Sequence, residues 1–576
     1  MSRMTLDRLP DSITKADNLP SPPGVALQVM RLAEFFTRDD AADYAPPEHR
    51  AMIPHARALS AVLAAPVKGL ADTPRKGEGV LVAPDQEGLP GLAGAARAAG
   101  VPLALVVTAP LRAPAPFGKD TLAILVLPLD PLSEGGESNI ARVLRPFARP
   151  PATGTLAAAC ADALATALKE IAGTEAEELA AGLVPCAMLY PSPYDRNRAL
   201  GFAGAAGAVA TFARRAELSD RPLFCFGAKS WNHASIRAAY AADPERFTFC
   251  ADAGEAVGRA RLASGRVLGW AAGVTQEIEA RAGEAGVDLW RIEDGFLRSV
   301  GLGAGLARGA SVAFDDEGIY FDATRPSRME RLLATRQLDE AERARAADLL
   351  KLLRAARMTK YNVSGKAVLP EVPGDREVLL VPGQVADDAG VRRSLSDVID
   401  CATCDNVNLE LLRAVRARNP HAHILYKPHP DVEAGLRKGR VEQASLAGLA
   451  DQVVAGCDIL ELVGLADRVE TFSSLSGFEA LLRGRPVTVY GMPFYAGWGL
   501  TRDLTENARR TRRLDLETLA HVAFIDYPLT VDPLTLLPCT PEFLVSRLAA
   551  QRGSWRHAIA RRLRQDLSWL GRKLGI

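Results

Sequence analysis

VLLVPGQVADDAGVRRS, residues 378–394, is the stretch on which the fold turns. The apolar run VLLV (378–381) meets Pro382 and Gly383, and the loop beyond carries Gln384, Asp387, Asp388, Arg392 and Arg393. An unbroken run of this kind marks a strand buried on both faces, and helix-covered parallel sheets place their reactive groups just past strand C-termini. The pattern repeats downstream: ILY (424–426), RVETF (468–472) and PVTVYG (486–491) read as strands, with NLELLRAVRARN (408–419) and GFEALLRG (477–484) as helices between them. Upstream, an earlier series opens at Leu223, with RVLGW (266–270) and VDLWRI (287–292) as strands and 327–358 as a helical connector. The alternation predicts an α/β chain with two Rossmann-like lobes.

At 576 residues the chain exceeds what one hydrophobic core supports. Its expected parts are an N-terminal α/β region at 1–218, a first Rossmann-like lobe at 219–375, a second Rossmann-like lobe at 376–540 and a basic tail at 541–576. The first region contains a β-α-β cue, GVLVAPDQ, GLAGAARAAG and VPLALVVTAP, but no reactive constellation. Lys plus Arg and Asp plus Glu both number 69, which removes any net attraction to nucleic acid. The first twenty residues lack the apolar core of a secretory signal and no membrane-length apolar run follows, so the expected location is cytoplasmic. The eight cysteines form no disulfide framework, and the pair Cys401 and Cys404 lacks the second pair of a zinc site. No metal is called for, since the carboxylates suit turns and covalent catalysis better than an octahedral cation site.

Five constellations carry candidate chemistry. WRIEDGFLRSVGLG (290–303) ends a strand in Glu293 and Asp294 and continues into Arg298; the carboxylates suit a general base, or an acidic turn with Arg298 as counter-ion. SVAFDDEGIYFDATRPS (311–327) reads as a hairpin turned at Asp315–Gly318, and its carboxylates are not metal ligands. In the 378–394 loop a carboxylate has the character of a nucleophile and Arg392 and Arg393 that of anion holders, against a solvated charged loop. In HILYKPHPD (423–431) two prolines hold Lys427 and His429 in place for a phosphate. In VETFSSLSGFEALLRGRPVTVYG (469–491), Ser473, Ser474, Ser476 and Gly477 lie between strand and helix where hydroxyls and backbone N–H groups meet an anion, and Glu479 is either a ribose acceptor or a charge favourable to the helix dipole.

Together RIEDGFLRSVGLG, FDDEGIYFDATRPS, VPGQVADDAG, YKPHPDV and SSLSGFEALLRGRPVTVYGMPFYAGWGLT, in that order over about residues 223–535, resemble the KpsC type of capsular polysaccharide β-Kdo transferase. The resemblance implies a GT-B fold, CMP-Kdo as donor with no separate cofactor, and retention of configuration while a short Kdo linker is built on a phosphatidylglycerol-based lipid. It matches Asp388, with Asp387 as the lesser neighbour, to the proposed nucleophile of that family. Lys427 and His429 match its CMP-contacting motif, and Ser473, Ser474 and Glu479 its phosphate and ribose side. Asp294 and Arg298 match a signature whose implied role is acceptor positioning or acid/base help. Gln384, Glu293, Arg392 and Arg393 complete the substrate side. Many family members carry two modules in tandem, whereas here one set of motifs follows residues 1–218. The competing readings are a transferase or epimerase using another nucleotide-activated sugar, and a non-catalytic polysaccharide assembly or export factor.

The tail WRHAIARRLRQDLSWLGRKLGI (555–576) places Trp555, Ile559, Leu563, Leu567, Leu570 and Leu574 on one helical face among basic residues. That is the pattern of a helix lying in an anionic membrane interface, or of one docked on its own domain. The expected partners are thus a CMP-sugar, a lipid-linked glycan acceptor, the cytoplasmic face of the inner membrane by peripheral contact, and capsule assembly or export proteins.

Overall fold

The computed structural model describes residues 81–83, 103–107, 121–126, 188–191, 194, 199–200, 202–301, 308–362, 368–400 and 403–553. The chain divides into two compact units, Met1–Arg214 with Asp339–Asp348 and Leu534–Arg547, and Arg215–Leu338 with Leu349–Pro533 and Leu548–Ile576.

In the first unit β1 (Leu81–Ala83), β2 (Leu103–Val107), β3 (Thr121–Val126), β4 (Met188–Pro191) and β5 (Ala199–Leu200) form one sheet in that order. β1, β2 and β3 run parallel, and β4 and β5 join antiparallel. β1 and β2 are the two apolar runs of the β-α-β cue, paired as a crossover requires. The small-residue segment between them lies outside the described residues.

The second unit holds two sheets, and every functional motif named above belongs to it. Its strands are β6 (Leu223–Phe226), β7 (Phe247–Phe249), β8 (Arg266–Trp270), β9 (Asp288–Asp294), β10 (Ser311–Asp315), β11 (Val378–Pro382), β12 (His423–Lys427), β13 (Gln452–Val453), β14 (Arg468–Thr471), β15 (Val487–Val489), β16 (Arg502–Asp503) and β17 (Pro528–Val531). One lobe orders its strands β17-β10-β9-β8-β6-β7, parallel from β9 to β7 and antiparallel at β10 and β17. The other is wholly parallel in the order β13-β12-β11-β14-β15-β16, which in chain sequence is 3-2-1-4-5-6. The strand order therefore reverses between β11 and β14, and the crevice past their carboxyl ends is where such sheets bind ligands.

Burial explains why β11 anchors this lobe. All five of its residues are buried, and Leu379 and Val381 pack with Ile424 and Tyr426 of β12 and with Leu411, Leu412 and Val415 of the helix Val407–Arg418. Each such side chain removed from water contributes about 1.5–3 kcal/mol. Asn406 starts the helix by accepting the Asn408 N–H, satisfying one of its unpaired donors.

Two expectations are corrected. The 327–358 connector is two helices, Arg328–Thr335 and Glu340–Ala355. The break follows from a capping box: Asp339 accepts the Glu342 N–H at 2.8 Å while Glu342 accepts the Asp339 N–H at 3.1 Å, which founds a new helix start. The expected 311–327 hairpin has its turn but not its second strand. β10 ends at the fully buried Asp315, whose carboxylate accepts N–H groups from Glu317 (3.0 Å), Gly318 (2.7 Å) and Arg328 (2.9 Å) and the Tyr527 hydroxyl (2.9 Å). That side chain organises the segment in place of a ladder.

The helix Pro541–Gly553 is described, while the amphipathic tail beyond it and Cys401 lie outside the described residues. Among the described residues no helix is long and apolar enough to cross a membrane.

Candidate functional site

The loops at the switch point are stapled by side chains. Gln384, just past β11, donates its amide to the Ser473 hydroxyl at 3.1 Å and accepts the Ser473 N–H at 2.9 Å, and Ser473 sits just past β14. The loop after β12 lies equally close: the Gly383 N–H donates to the Lys427 carbonyl at 2.7 Å, and a Cβ on Gly383 would stand 3.2 Å from the His429 nitrogen. Glycine therefore lets three strand-end loops meet. A second glycine holds the rim. Gly439, at φ +125°, carries its backbone against Gln384, where a Cβ would come within 2.7 Å of the Gln384 carbonyl oxygen. Asn408 bridges the same place through the Gln384 and Gly439 carbonyls, both at 2.8 Å. Gly439→Ala is expected to lower stability by about 1–3 kcal/mol, because strain and overlap coincide. A thermal melt checks it, with an unchanged midpoint counting against this account.

Within this frame Asp388 is exposed and caps the short helix Ala389–Arg392 through the Gly390 N–H at 2.9 Å, which fixes its carboxylate. Asp387 is instead paired with Arg437 at 3.3 Å. Lys427 is buried at the end of β12. His429 accepts the Asp431 N–H at Nδ1 (3.1 Å), so its neutral ring carries hydrogen on Nε2. Burial lowers the His429 pKa, with Lys427 and Arg437 reinforcing the effect and Asp431 and Asp388 opposing it. Arg392 is exposed, and Arg393 reaches Asp322 at 3.4 Å.

The helix Leu475–Leu481 is capped by Ser474, whose hydroxyl accepts the Ser476 N–H at 3.2 Å; Ser476 itself is half-buried. Gly477 has a packing reason, since a Cβ would stand 2.4 Å from the Tyr495 hydroxyl, which donates to the Ser474 carbonyl at 2.5 Å. Glu479 is buried, and its carboxylate accepts the Lys360 N–H at 2.9 Å. Burial pushes its pKa up to about 7, against the lowering effect of that hydrogen bond, Arg483 and the Lys360 charge.

The other lobe presents the end of β9. Arg298, 3% exposed at its side chain, donates from Nε to Asp294 Oδ2 at 2.5 Å. Glu293 is half-buried and among the described residues has no such ion-pair partner; its Oε1 accepts the Asp294 N–H at 3.0 Å. Burial, then Asp294, push its pKa up to about 8, with Asp388 adding to the rise while the Asp294 N–H and Lys360 oppose it. The influence of Asp388 on both Glu293 and His429 places the three within electrostatic reach of one another. The structure thus brings together the loops around 294, 388, 429 and 474.

Lys360 and Tyr320 are members of this site that sequence reading passed over. Lys360 follows the helix Glu340–Ala355 in the plain polar run TKYN, and nothing local distinguishes it from a solvated turn. Phe296, which follows Asp294 by two residues, stacks on Phe494 with centroids 4.6 Å apart and meets Tyr320, Phe478 and Phe524 in one aromatic cluster.

The profile of the capsule polysaccharide biosynthesis protein family matches residues 267–365 and 349–531. The capsule polysaccharide modification protein LipA of Neisseria meningitidis is 40% identical over 328 residues, 57% of this chain and 45% of that protein. The lipopolysaccharide-processing protein LpsZ of Rhizobium meliloti is 42% identical over 250 residues, 42% of this chain and 55% of that protein. This chain therefore spans about half the length of the curated relatives it matches. The solved KpsC β-Kdo 2,4 transferase of Thermosulfurimonas dismutans is 31% identical over 57% of this chain and 98% of that one, with a TM-score of 0.48. The matched segments run from β8 to β17 and include every loop that meets at the switch point, so this stretch of the chain is similar to the capsule polysaccharide biosynthesis protein family.

Proposed function

We propose that the second unit is a retaining glycosyltransferase of the GT-B type that moves Kdo from CMP-Kdo to a Kdo-primed, lipid-linked acceptor. One observation carries the reading: the fixed carboxylate of Asp388, the buried Lys427 with the neutral His429, and Glu293, whose raised proton affinity suits a general base, share one site at the β11/β14 switch point. The choice of donor follows the motif resemblance described above. In this reading Asp388 attacks the anomeric carbon as its bond to the phosphate oxygen of CMP breaks. Lys427 and the 473–477 loop take up the charge that develops on the leaving phosphate. The acceptor hydroxyl then attacks the same carbon, its proton passes to Glu293, and the ester bond to Asp388 breaks. Asp294 is held by Arg298 and serves as an orienting charge. Peripheral contact with the inner membrane and with capsule assembly partners belongs to the same reading, since the acceptor is a lipid.

The test is incubation of the protein with CMP-Kdo and a Kdo-primed glycolipid analogue. CMP release with one β-linked Kdo added is expected; turnover of a different CMP-sugar alone would reassign the donor, and no turnover of any would remove the transferase reading. The pH dependence adds a sharper check. A base must be ionised to act, and Glu293 is held at about 8, so kcat/KM falls about tenfold per unit as pH drops below that value. Glu293→Gln is expected to remove this limb and to lower the rate by about 10²–10⁴.

A further inference from the structure

The mechanism above leaves Lys360 without a task. We propose that Lys360 is a positioning residue for Glu293: its main chain is clamped from both lobes beside the end of β9, and its ammonium is the cation that keeps Glu293 able to accept a proton. The inference rests on the reading of Glu293 as the proton acceptor.

The clamp is made of short-range geometry. On one side the Lys360 N–H donates to Glu479 at 2.9 Å, from the helix that follows the serine loop. On the other the Lys360 carbonyl accepts the Arg298 N–H at 3.1 Å and the Ser299 N–H at 3.3 Å, while the Tyr361 carbonyl accepts the Gly301 N–H at 2.8 Å. Asn362 closes the turn at φ +51°, donating to the Ser299 carbonyl at 3.0 Å and accepting the Thr359 N–H at 3.0 Å. The residue thus ties the β14 end of the crevice to the β9 end.

Its charge is the complement of what surrounds Glu293. Among the groups that bear on Glu293 in the described residues, Asp294 on its own strand and Asp388 past β11 oppose ionisation, and Lys360 favours it. Tyr320, from the segment after β10, also faces this group, and Glu293 and Asp294 both hinder its deprotonation. Burial acts to lower the Lys360 pKa, but Tyr320, Tyr361, Asp294 and Glu293 outweigh it, so the ammonium stays charged throughout the working range.

The experiment compares kcat/KM from pH 6 to 9.5 for the full chain, Lys360→Met, Lys360→Arg and Glu293→Gln, with a thermal midpoint for each. Loss of the ammonium is expected to move the acidic limb up by about one pH unit or more, cutting kcat/KM near pH 7 about tenfold while the high-pH plateau approaches the parent value. Lys360→Arg keeps the charge and holds the limb in place. If Lys360→Met does not fold, Lys360→Gln reports the same shift with a polar head retained. A uniform drop across pH with an unmoved limb would show Lys360 to be structural and overturn the inference. Should Glu293→Gln retain the limb, the proton-acceptor reading itself falls; if only Glu293→Gln abolishes it and the Lys360 variants leave it unmoved, that reading stands and this inference alone fails.

Discussion

Asp388→Ala is expected to abolish Kdo transfer, with kcat lowered about 10³-fold or more, and to remove any covalent sugar adduct on the protein. Asp388→Asn is the more incisive variant. An asparagine oxygen still accepts the Gly390 N–H that Asp388 now accepts at 2.9 Å, so the short helix Ala389–Arg392 keeps its cap while the nucleophilic charge is lost. The measurement is CMP release together with the intact mass of the protein after mixing with CMP-Kdo. Near-parent turnover by either variant would sink the nucleophile assignment. Asp387 provides an internal control, because its pairing with Arg437 directs it to an exposed ion pair rather than to Glu293 and His429. Such exposed pairs contribute little to stability, about 0–1 kcal/mol.

Glu330→Ala should produce the largest loss of stability, about 3–5 kcal/mol, read as a fall in the denaturation midpoint. Glu330 is buried on the helix Arg328–Thr335, and its carboxylate takes Arg509 Nε at 2.6 Å and Arg510 Nε at 2.9 Å. Arg510 is itself buried, and it also donates to the Pro493 and Ala496 carbonyls at 2.6 and 2.9 Å. Deleting the acid leaves that guanidinium in a dry setting without its counter-charge, which costs far more than the intact pair contributes. Glu330→Gln, which keeps the shape and one acceptor oxygen, should fall between parent and alanine. A midpoint within experimental error of the parent for Glu330→Ala would refute the account.

Much of this molecule is legible in local chemistry. Apolar runs at 266–270, 378–381 and 486–491 became β8, β11 and β15 because a chain that long in β-branched and aliphatic residues has few other ways to bury them while pairing its backbone. Strand ends were equally readable: VPGQ, KPHP and SSLSG each supply a turn former beside polar groups, and all three loops meet at one crevice. The hairpin expected at 311–327 failed for a specific reason. A turn rich in Asp and Gly signals a reversal, yet whether a ladder follows depends on what the first carboxylate binds, and Asp315 found Arg328 and Tyr527, thirteen and 212 residues away.

Assignment of roles within the site lay beyond any local pattern. Glu293 and Asp294 are adjacent and alike in the chain, and the motif resemblance pointed to Asp294 for acid/base help. Their difference arises in space, where Asp294 receives Arg298 at 2.5 Å while Glu293 meets burial, a second carboxylate in Asp388 and a single ammonium from Lys360. Periodicity and turn chemistry act over a few residues, so they specify strands, caps and loop positions. Proton affinity depends on desolvation and on charges some 65 to 95 positions away in the chain, and it exists only once the lobes have folded against each other.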